Sequence, residues 1–180
     1  MGNAEQRTGG LSVTEAVRAK RAVRAYSAEP VPEELIRAIL SAGRRAQSSK
    51  NDQPWTFVVV TEREQLQRLS TAGTYAAHMP SSAFTVVLVA PATYEFDLGQ
   101  AAAYLQLAAV EHGIGSCVTT LQNSEAAHAI LGVPPELSCR WSITFGYPAE
   151  PPAPLKPGGR RPLEELVRYE RYSEDQVGGS

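Results

Sequence analysis

The chain has 180 residues, 43% hydrophobic and 20% charged, with a net charge of −2 at neutral pH and a pI near 5.9. That length suits one domain with a core large enough to need no disulfide or metal, and the composition excludes an intrinsically disordered polymer. An electrostatic nucleic-acid binder would be more basic, so that class is set aside.

Residues 1–10 are polar and Gly-containing, without an apolar h-region, so a disordered tail and no signal peptide are expected. Ser12-Val13-Thr14-Glu15 has the form of a capping box, which predicts a helix from there to about Ala25. Pro32 suits the first turn of a second helix, whose Leu35, Ile36, Ile39 and Leu40 share one face and which should fade near Gly43. A polar loop, Ala46–Pro54, follows. Trp55–Thr61 is β-branched and aromatic and predicts a buried strand, and Glu62–Ser70 a short helix. Thr71–Ser82 has no clear period. Phe84–Ala90 predicts a second buried strand, and the apolar stretch that contains it is too short to span a bilayer. Asp97 is expected to cap a long Ala- and Leu-rich helix through His112, ended by Gly113 and Gly115. Ser116–Thr120 predicts a short strand, Ser124–Leu131 a helix and Trp141–Phe145 a fourth strand. Six prolines between Pro148 and Pro162, with Gly158 and Gly159, predict an extended, polyproline-like arm. Leu163–Tyr172 reads as a last helix, and residues 173–180 as a flexible tail. One domain over residues 11–172, with helices and strands mixed, predicts an α+β or α/β sheet.

Candidate chemistry is concentrated in three places. Arg18, Lys20, Arg21 and Arg24 put four cations within seven residues, and on a helix Lys20 and Arg24 would share a face. Such a run is either a solvated basic face or a cradle for a phosphate. Arg160-Arg161, on a stiff arm, can deliver bidentate donors to a phosphate. Ser48–Gln53 offers donors and acceptors that suit the edge of a heteroaromatic ring, and the same residues also make a simple helix-to-strand turn. No G-x-G-x-x-G, Walker A or G-x-S-x-G motif occurs. Cys117 and Cys139 form no CxxC or Cys/His cluster and are expected to be reduced thiols in a cytoplasmic protein, with no metal site. Of the three histidines, His78, His112 and His128, His112 suits the C-terminal end of the long helix. No acid/base pair or activated nucleophile is visible, so a reaction here would be carried by a cofactor.

Taken in order, these segments resemble the FMN-dependent nitroreductase family. Lys20-Arg21-Ala22-Val23-Arg24-Ala25-Tyr26 is similar to its Arg-Arg-Ser-x-Arg-x-Phe, and Ser48-Ser49-Lys50-Asn51-Asp52-Gln53-Pro54-Trp55 to its Ser-Ser-x-Asn-x-Gln-Pro-Trp. Asp97-Leu98-Gly99-Gln100-Ala101-Ala102-Ala103 through Gly113-Ile114-Gly115-Ser116-Cys117 resembles its central helix and strand entry. Gly146-Tyr147-Pro148 and Arg160-Arg161-Pro162-Leu163-Glu164-Glu165 resemble its C-terminal end. The resemblance covers about residues 12–172.

It implies an α+β fold, with a central mixed, mainly antiparallel sheet flanked by helices and an extended C-terminal arm, in an intertwined homodimer with FMN at the interface. It implies that Lys20, Arg21 and Arg24 meet the FMN phosphate, ribityl chain or pyrimidine edge, and that Arg160 and Arg161 hold the phosphate. Ser48, Ser49, Asn51 and Gln53 would lie along the flavin from the other subunit, and backbone groups at Thr119, Thr120 and Leu121 would face its N5 side. Ala22 departs from the family's Ser, Lys20 from its Arg, and Leu121 stands where many members carry Gly. The implied activity is ping-pong transfer of electrons from NAD(P)H through FMN to a small electrophilic acceptor such as a nitroaromatic or quinone, with no nucleic acid or membrane partner. A non-catalytic flavin-binding or storage protein of the same fold is the alternative.

Overall fold

The computed structural model describes residues 10–151 and 159–172. The expected tails at 1–9 and 173–180, and the part of the Pro-rich arm at 152–158, lie outside the described residues.

Four strands form one antiparallel sheet in the order β1-β2-β4-β3. They are β1 (Thr56–Val60), β2 (Phe84–Ala90), β3 (Gly115–Thr120) and β4 (Ser138–Gly146). β2 is central and buried along its whole length, as a continuous Val-rich run should be. β1 departs from the buried strand expected of it. It pairs on one side only, so Thr56 is exposed, Phe57–Val59 are half-buried and Val60 alone is buried. β4 runs longer than expected at both ends, because both of its neighbours supply hydrogen bonds.

Side chains alternate across the sheet. Val86, Leu88, Ile143 and Phe145 face α2 (Glu33–Gly43) and α4 (Glu95–Glu111), where they form one core with Ile39, Leu98 and Leu105. Val60, Val87 and Val89 face the opposite way and pack with Leu66 and Leu69 of α3 (Arg63–Ser70) and Ala127 of α5 (Ser124–Leu131). Cys117 and Cys139 are buried and free.

The first helix, α1, spans Val13–Ala19. Its capping box forms as expected, with Ser12 Oγ accepting from Glu15 N and the Glu15 carboxylate accepting from Ser12 N at 2.8 Å. It stops six residues short of Ala25. From Lys20 onward the backbone is extended, Val23 N donates to Ser116 O at 3.0 Å, and Ala22 forms a parallel bridge with Ser116. The edge of β3 thus supplies hydrogen bonds that compete with continuing the helix. Gly115 makes the approach possible, since a Cβ there would sit 2.7 Å from Val23 Cγ2. Lys20 and Arg24 therefore share a side through a period of two, not through a helical turn.

Two other expectations are corrected. Asp97 lies in the first turn of α4 instead of capping it; Tyr94 is at the cap position, and Asp97 accepts from Ser49 N of the preceding loop. The helix expected over Leu163–Tyr172 is a single turn, α6 (Leu163–Leu166), because Val167 takes an extended conformation.

His128, on α5, ties that helix to β4. Its Nδ1 donates to Ser124 O at 2.6 Å and its Nε2 donates to Leu137 O at 2.8 Å. Two carbonyl acceptors need both ring nitrogens protonated, so these bonds raise its pKa above the ordinary histidine value. A folded pKa above the unfolded one stabilises below about pH 6.5, and the contribution is lost as pH rises through the folded value. Thermal unfolding is expected at a higher temperature on the acid side of that window than on the alkaline side. The difference should shrink in His128→Asn; an equal difference in both proteins would assign it elsewhere.

Candidate functional site

Three cations from two distant parts of the chain come together at the outer edge of β3. Lys20 is half-buried, and burial pushes its ammonium below the usual lysine range; Cys117 opposes this, while Arg160 and Arg24 add to it. Cys117, on β3, is pushed up by burial, against the pull of Arg24 and Lys20. Burial lowers His78, and Arg24 lowers it further. Lys20, Arg24, Arg160, Cys117 and His78 thus share one electrostatic neighbourhood. Among the described residues no carboxylate comes within ion-pair distance of these three cations. Like charges held together without a counter-ion disfavour their own charged forms, and an anion placed among them relieves that cost.

The other candidate cations are turned elsewhere. Arg161 donates from Nε to Glu165 Oε2 at 3.0 Å and from Nη2 to Glu165 O at 3.2 Å, within its own arm. Arg21 points to the opposite side of the extended segment. It donates to Arg18 O and to Lys20 O, beside a shallow hollow lined by Val110, Gly113 and Pro148 at the end of α4. Ala22 lies between Lys20 and Arg24 on the exposed side.

Further along β3, Thr119 is buried and Thr120 half-buried. Leu121 is 1% exposed, its side chain packed into the core shared with α3 and α5, and its N–H donates to Arg140 O at 2.8 Å. The residue that stands where many family members carry Gly therefore projects nothing outward. The Thr119 hydroxyl meets His78 Nε2 at 3.2 Å. Sequence reasoning gave His78 no role, because the contact spans 41 residues and the segment that carries it has no periodicity.

The loop 48–53 is tightly self-bonded. Ser48 Oγ accepts from Gln53 N at 2.9 Å, and Gln53 Nε2 donates to Asn51 O at 3.3 Å. Lys50, Asn51 and Gln53 all take positive φ (51°, 61° and 47°), a sparsely populated region for residues other than Gly. The loop is fastened to the start of α4: Ser49 N donates to Asp97 Oδ2 at 3.3 Å, and Tyr94 OH donates to Asp52 Oδ2 at 3.0 Å. The cation group borders the other end of that helix. α4 has 17 residues, so its ends are about 25 Å apart at 1.5 Å per residue. The cations also flank Cys117, on the sheet face away from α4.

Among the described residues no group of three His, Cys, Asp or Glu side chains gathers to hold a metal, and no helix is long and apolar enough to cross a membrane.

Comparison with known proteins places these segments in context. The chain is 31% identical over 143 residues to an Archaeoglobus fulgidus protein provisionally named NADH dehydrogenase/NAD(P)H nitroreductase, covering 73% of this chain and 82% of that one. It is 30% identical over 191 aligned positions to the NADH dehydrogenase of Thermus thermophilus, covering 83% and 92%. The fold matches an FMN-dependent nitroreductase of Clostridium difficile with a TM-score of 0.78 and 26% identity, over 87% of this chain and 98% of that one. The family model for the nitroreductase family matches residues 17–74 and 88–147, which hold Lys20, Arg24, the loop 48–53 and the end of β3. The chain therefore belongs to the nitroreductase family and is an oxidoreductase.

Proposed function

We propose that this chain is an FMN-dependent oxidoreductase that takes electrons from NAD(P)H and passes them to a small electrophilic acceptor, a nitroaromatic or a quinone, as a homodimer with shared sites. The observation that carries this reading is the group of three cations, Lys20, Arg24 and Arg160, with no counter-ion among the described residues. Such a group fits the phosphate of FMN, which accepts several charge-assisted bonds at once.

The separation of the loop from the cations supports the dimer. Ser48, Ser49, Asn51 and Gln53 would serve the flavin held by the cations of the second copy. Exposed apolar side chains on α1 (Val13, Val17), on α4 (Phe96, Tyr104) and on the arm (Leu163, Leu166) are the surface that a second copy would cover. When bound, FMN supplies hydride uptake from the nicotinamide and hydride delivery to the acceptor in two alternating half-reactions. The chain's own residues bind and orient. Lys20 and Arg160 would neutralise the phosphate, and Arg24 would place positive charge near the ring system, where it stabilises the anionic reduced form. The strained backbone at Lys50–Gln53 holds the polar loop in one shape, which suits a fixed ring edge. The inward turn of Leu121 leaves the strand end open on its outer side, which favours turnover over storage. Two free cysteines suit a cytoplasmic setting.

The test begins with the absorption spectrum of the purified protein and identification of any flavin released by heat, with about one FMN per chain expected where each phosphate finds its charge-assisted bonds. Sharing is tested with two differently tagged variants, one Lys20→Ala/Arg160→Ala and one Ser48→Ala/Asn51→Ala. Each alone should retain little FMN, whereas the mixed dimer should regain one intact site. No recovery in the mixed dimer would refute sharing, and protein that refuses FMN altogether would refute the cofactor.

A further inference from the structure

A cavity of about 430 Å³ opens where β3 ends and β4, α4 and α5 begin. Leu121 and Gln122 line it just past β3, Ser124 at the start of α5, Ser138 and Arg140 at the start of β4, and Glu95 at the start of α4. Its volume falls in the range of about 300–1,000 Å³ usual for small-ligand sites. It is separate from the group of Lys20, Arg24 and Arg160, since Ala22, between Lys20 and Arg24, bridges to Ser116 at the opposite end of β3.

The uncharged polar side chains of this wall accept bonds from the chain and keep their donor hydrogens unused. Gln122 Oε1 accepts from Thr74 N at 2.9 Å, and Ser138 Oγ accepts from Arg140 N at 3.4 Å. Ser124 Oγ lies 3.1 Å from His128 Nδ1. That nitrogen carries the proton it gives to Ser124 O, so the hydroxyl accepts there and cannot donate. The Gln122 amide hydrogens and both serine hydroxyl hydrogens have no partner among the described residues. Arg140 adds a guanidinium with the same bias. Its Cζ sits 5.3 Å from the centroid of the Trp141 ring, which steadies the planar fork. Among the described residues no carboxylate lies within ion-pair distance of it. Glu95 puts a carboxylate in the same wall, where its Oε1 accepts from Trp141 Nε1 at 3.4 Å.

We propose that this cavity is a subsite for the carboxylate of the electron acceptor, so that the enzyme favours acidic acceptors over neutral ones of similar shape. The inference rests on the reading of the chain as an FMN-dependent oxidoreductase whose flavin lies beside the end of β3. A planar carboxylate takes two parallel bonds from a guanidinium and has lone pairs left for the Gln122 amide and the serine hydroxyls. The charge also suits it. One guanidinium balances a monoanion, whereas a phosphate dianion beside Glu95 would meet uncompensated repulsion. The chain's own bonds hold Gln122, Ser124 and Ser138 in place before a ligand arrives, so less side-chain freedom is lost on binding.

The experiment compares para-nitrobenzoate with its neutral methyl ester as acceptors for the FMN-loaded protein, in the unsubstituted chain, in Arg140→Met and in Arg140→Lys. The unsubstituted protein should favour the acid in kcat/KM. Arg140→Met should cut the acid-to-ester ratio about ten- to a hundredfold, the loss of charge-assisted bonds, and chiefly through KM. Arg140→Lys keeps the charge without the fork and should fall between the two. A ratio that Arg140→Met leaves unmoved would overturn the proposal. A fall in the preference for NADPH over NADH instead would assign the cavity to a phosphate and overturn it as well. A second reading needs no flavin. Added benzoate should shift the indole N–H resonance of Trp141 in the unsubstituted protein and not in Arg140→Met, with benzamide silent in both; an equal shift in both proteins would overturn the proposal. The expected shift in a protein that binds no FMN would keep the carboxylate site and refute the flavin reading. Turnover with neither the shift nor the acid preference would do the reverse.

Discussion

Alanine at both Lys20 and Arg160 is expected to weaken FMN retention by about 3–6 kcal/mol, the sum of two charge-assisted bonds of ~1.5–3 kcal/mol each. That is roughly a hundred- to ten-thousandfold in dissociation constant. The protein without its cofactor should lose little stability, because the substitutions also remove like-charge repulsion around the half-buried Lys20. This combination separates a binding role from a folding role. Arg161→Ala provides the contrast. Arg161 is held by Glu165 on its own arm, in an exposed pair of the kind that contributes about 0–1 kcal/mol, so FMN affinity should hardly change. Flavin titration of the three proteins decides. A loss from Arg161→Ala comparable to that of the double variant would place Arg161 on the phosphate as well, and no loss from the double variant would remove the cations from the site.

Phe145→Ala is expected to lower the free energy of unfolding by about 3–5 kcal/mol, a large part of the total for a domain of this size. Phe145 is fully buried, is the cross-strand partner of Phe84 in β2, and stacks on that ring with centroids 4.8 Å apart. Removing it opens a cavity between the two central strands and costs the ring pair as well. The change also reaches the site. Gly146, the next residue, lies against the Tyr26 ring, and Tyr26 OH bonds to Val23 O and to the Thr144 hydroxyl, both at 2.7 Å. These contacts hold the extended segment that carries Lys20 and Arg24. Urea unfolding should show a lower midpoint with an unchanged slope, and FMN retention should fall in parallel. A loss below about 1.5 kcal/mol would mean that the two faces of the sheet repack to fill the space.

Elements with a strong local signal were legible in the chain. β2 and α5 occupy Phe84–Ala90 and Ser124–Leu131 as expected, and α2 ends at Gly43. Each carries its own information: a continuous β-branched run for β2, a short apolar face for α5, and an apolar stripe closed by Gly for α2. The candidate site was legible only as residue types in order, and that order is why the family could be recognised before any contact was known. Its geometry was not. A capping box announces where α1 begins, but its end depends on Ser116, more than ninety residues away, whose carbonyl takes the Val23 N–H. Arg160 and Arg161 are neighbours of identical chemistry, and nothing local distinguishes the one beside Lys20 from the one bound to Glu165.

Periodicity, caps and composition act within a few residues, so the chain alone settles the order of elements, the composition of the core and the chemistry available to a site. Which side chains meet is set by long-range pairing and burial. The edge of β3 converts a helical basic run into an extended one, and thereby puts Lys20 and Arg24 on one side and Arg21 on the other. Residues 71–82, without a pattern of their own, bring His78 to Thr119 because Gly73, Ala76 and Met79 are held against the sheet. The loop 48–53 and the cations end up toward opposite ends of α4, a separation that no local motif encodes.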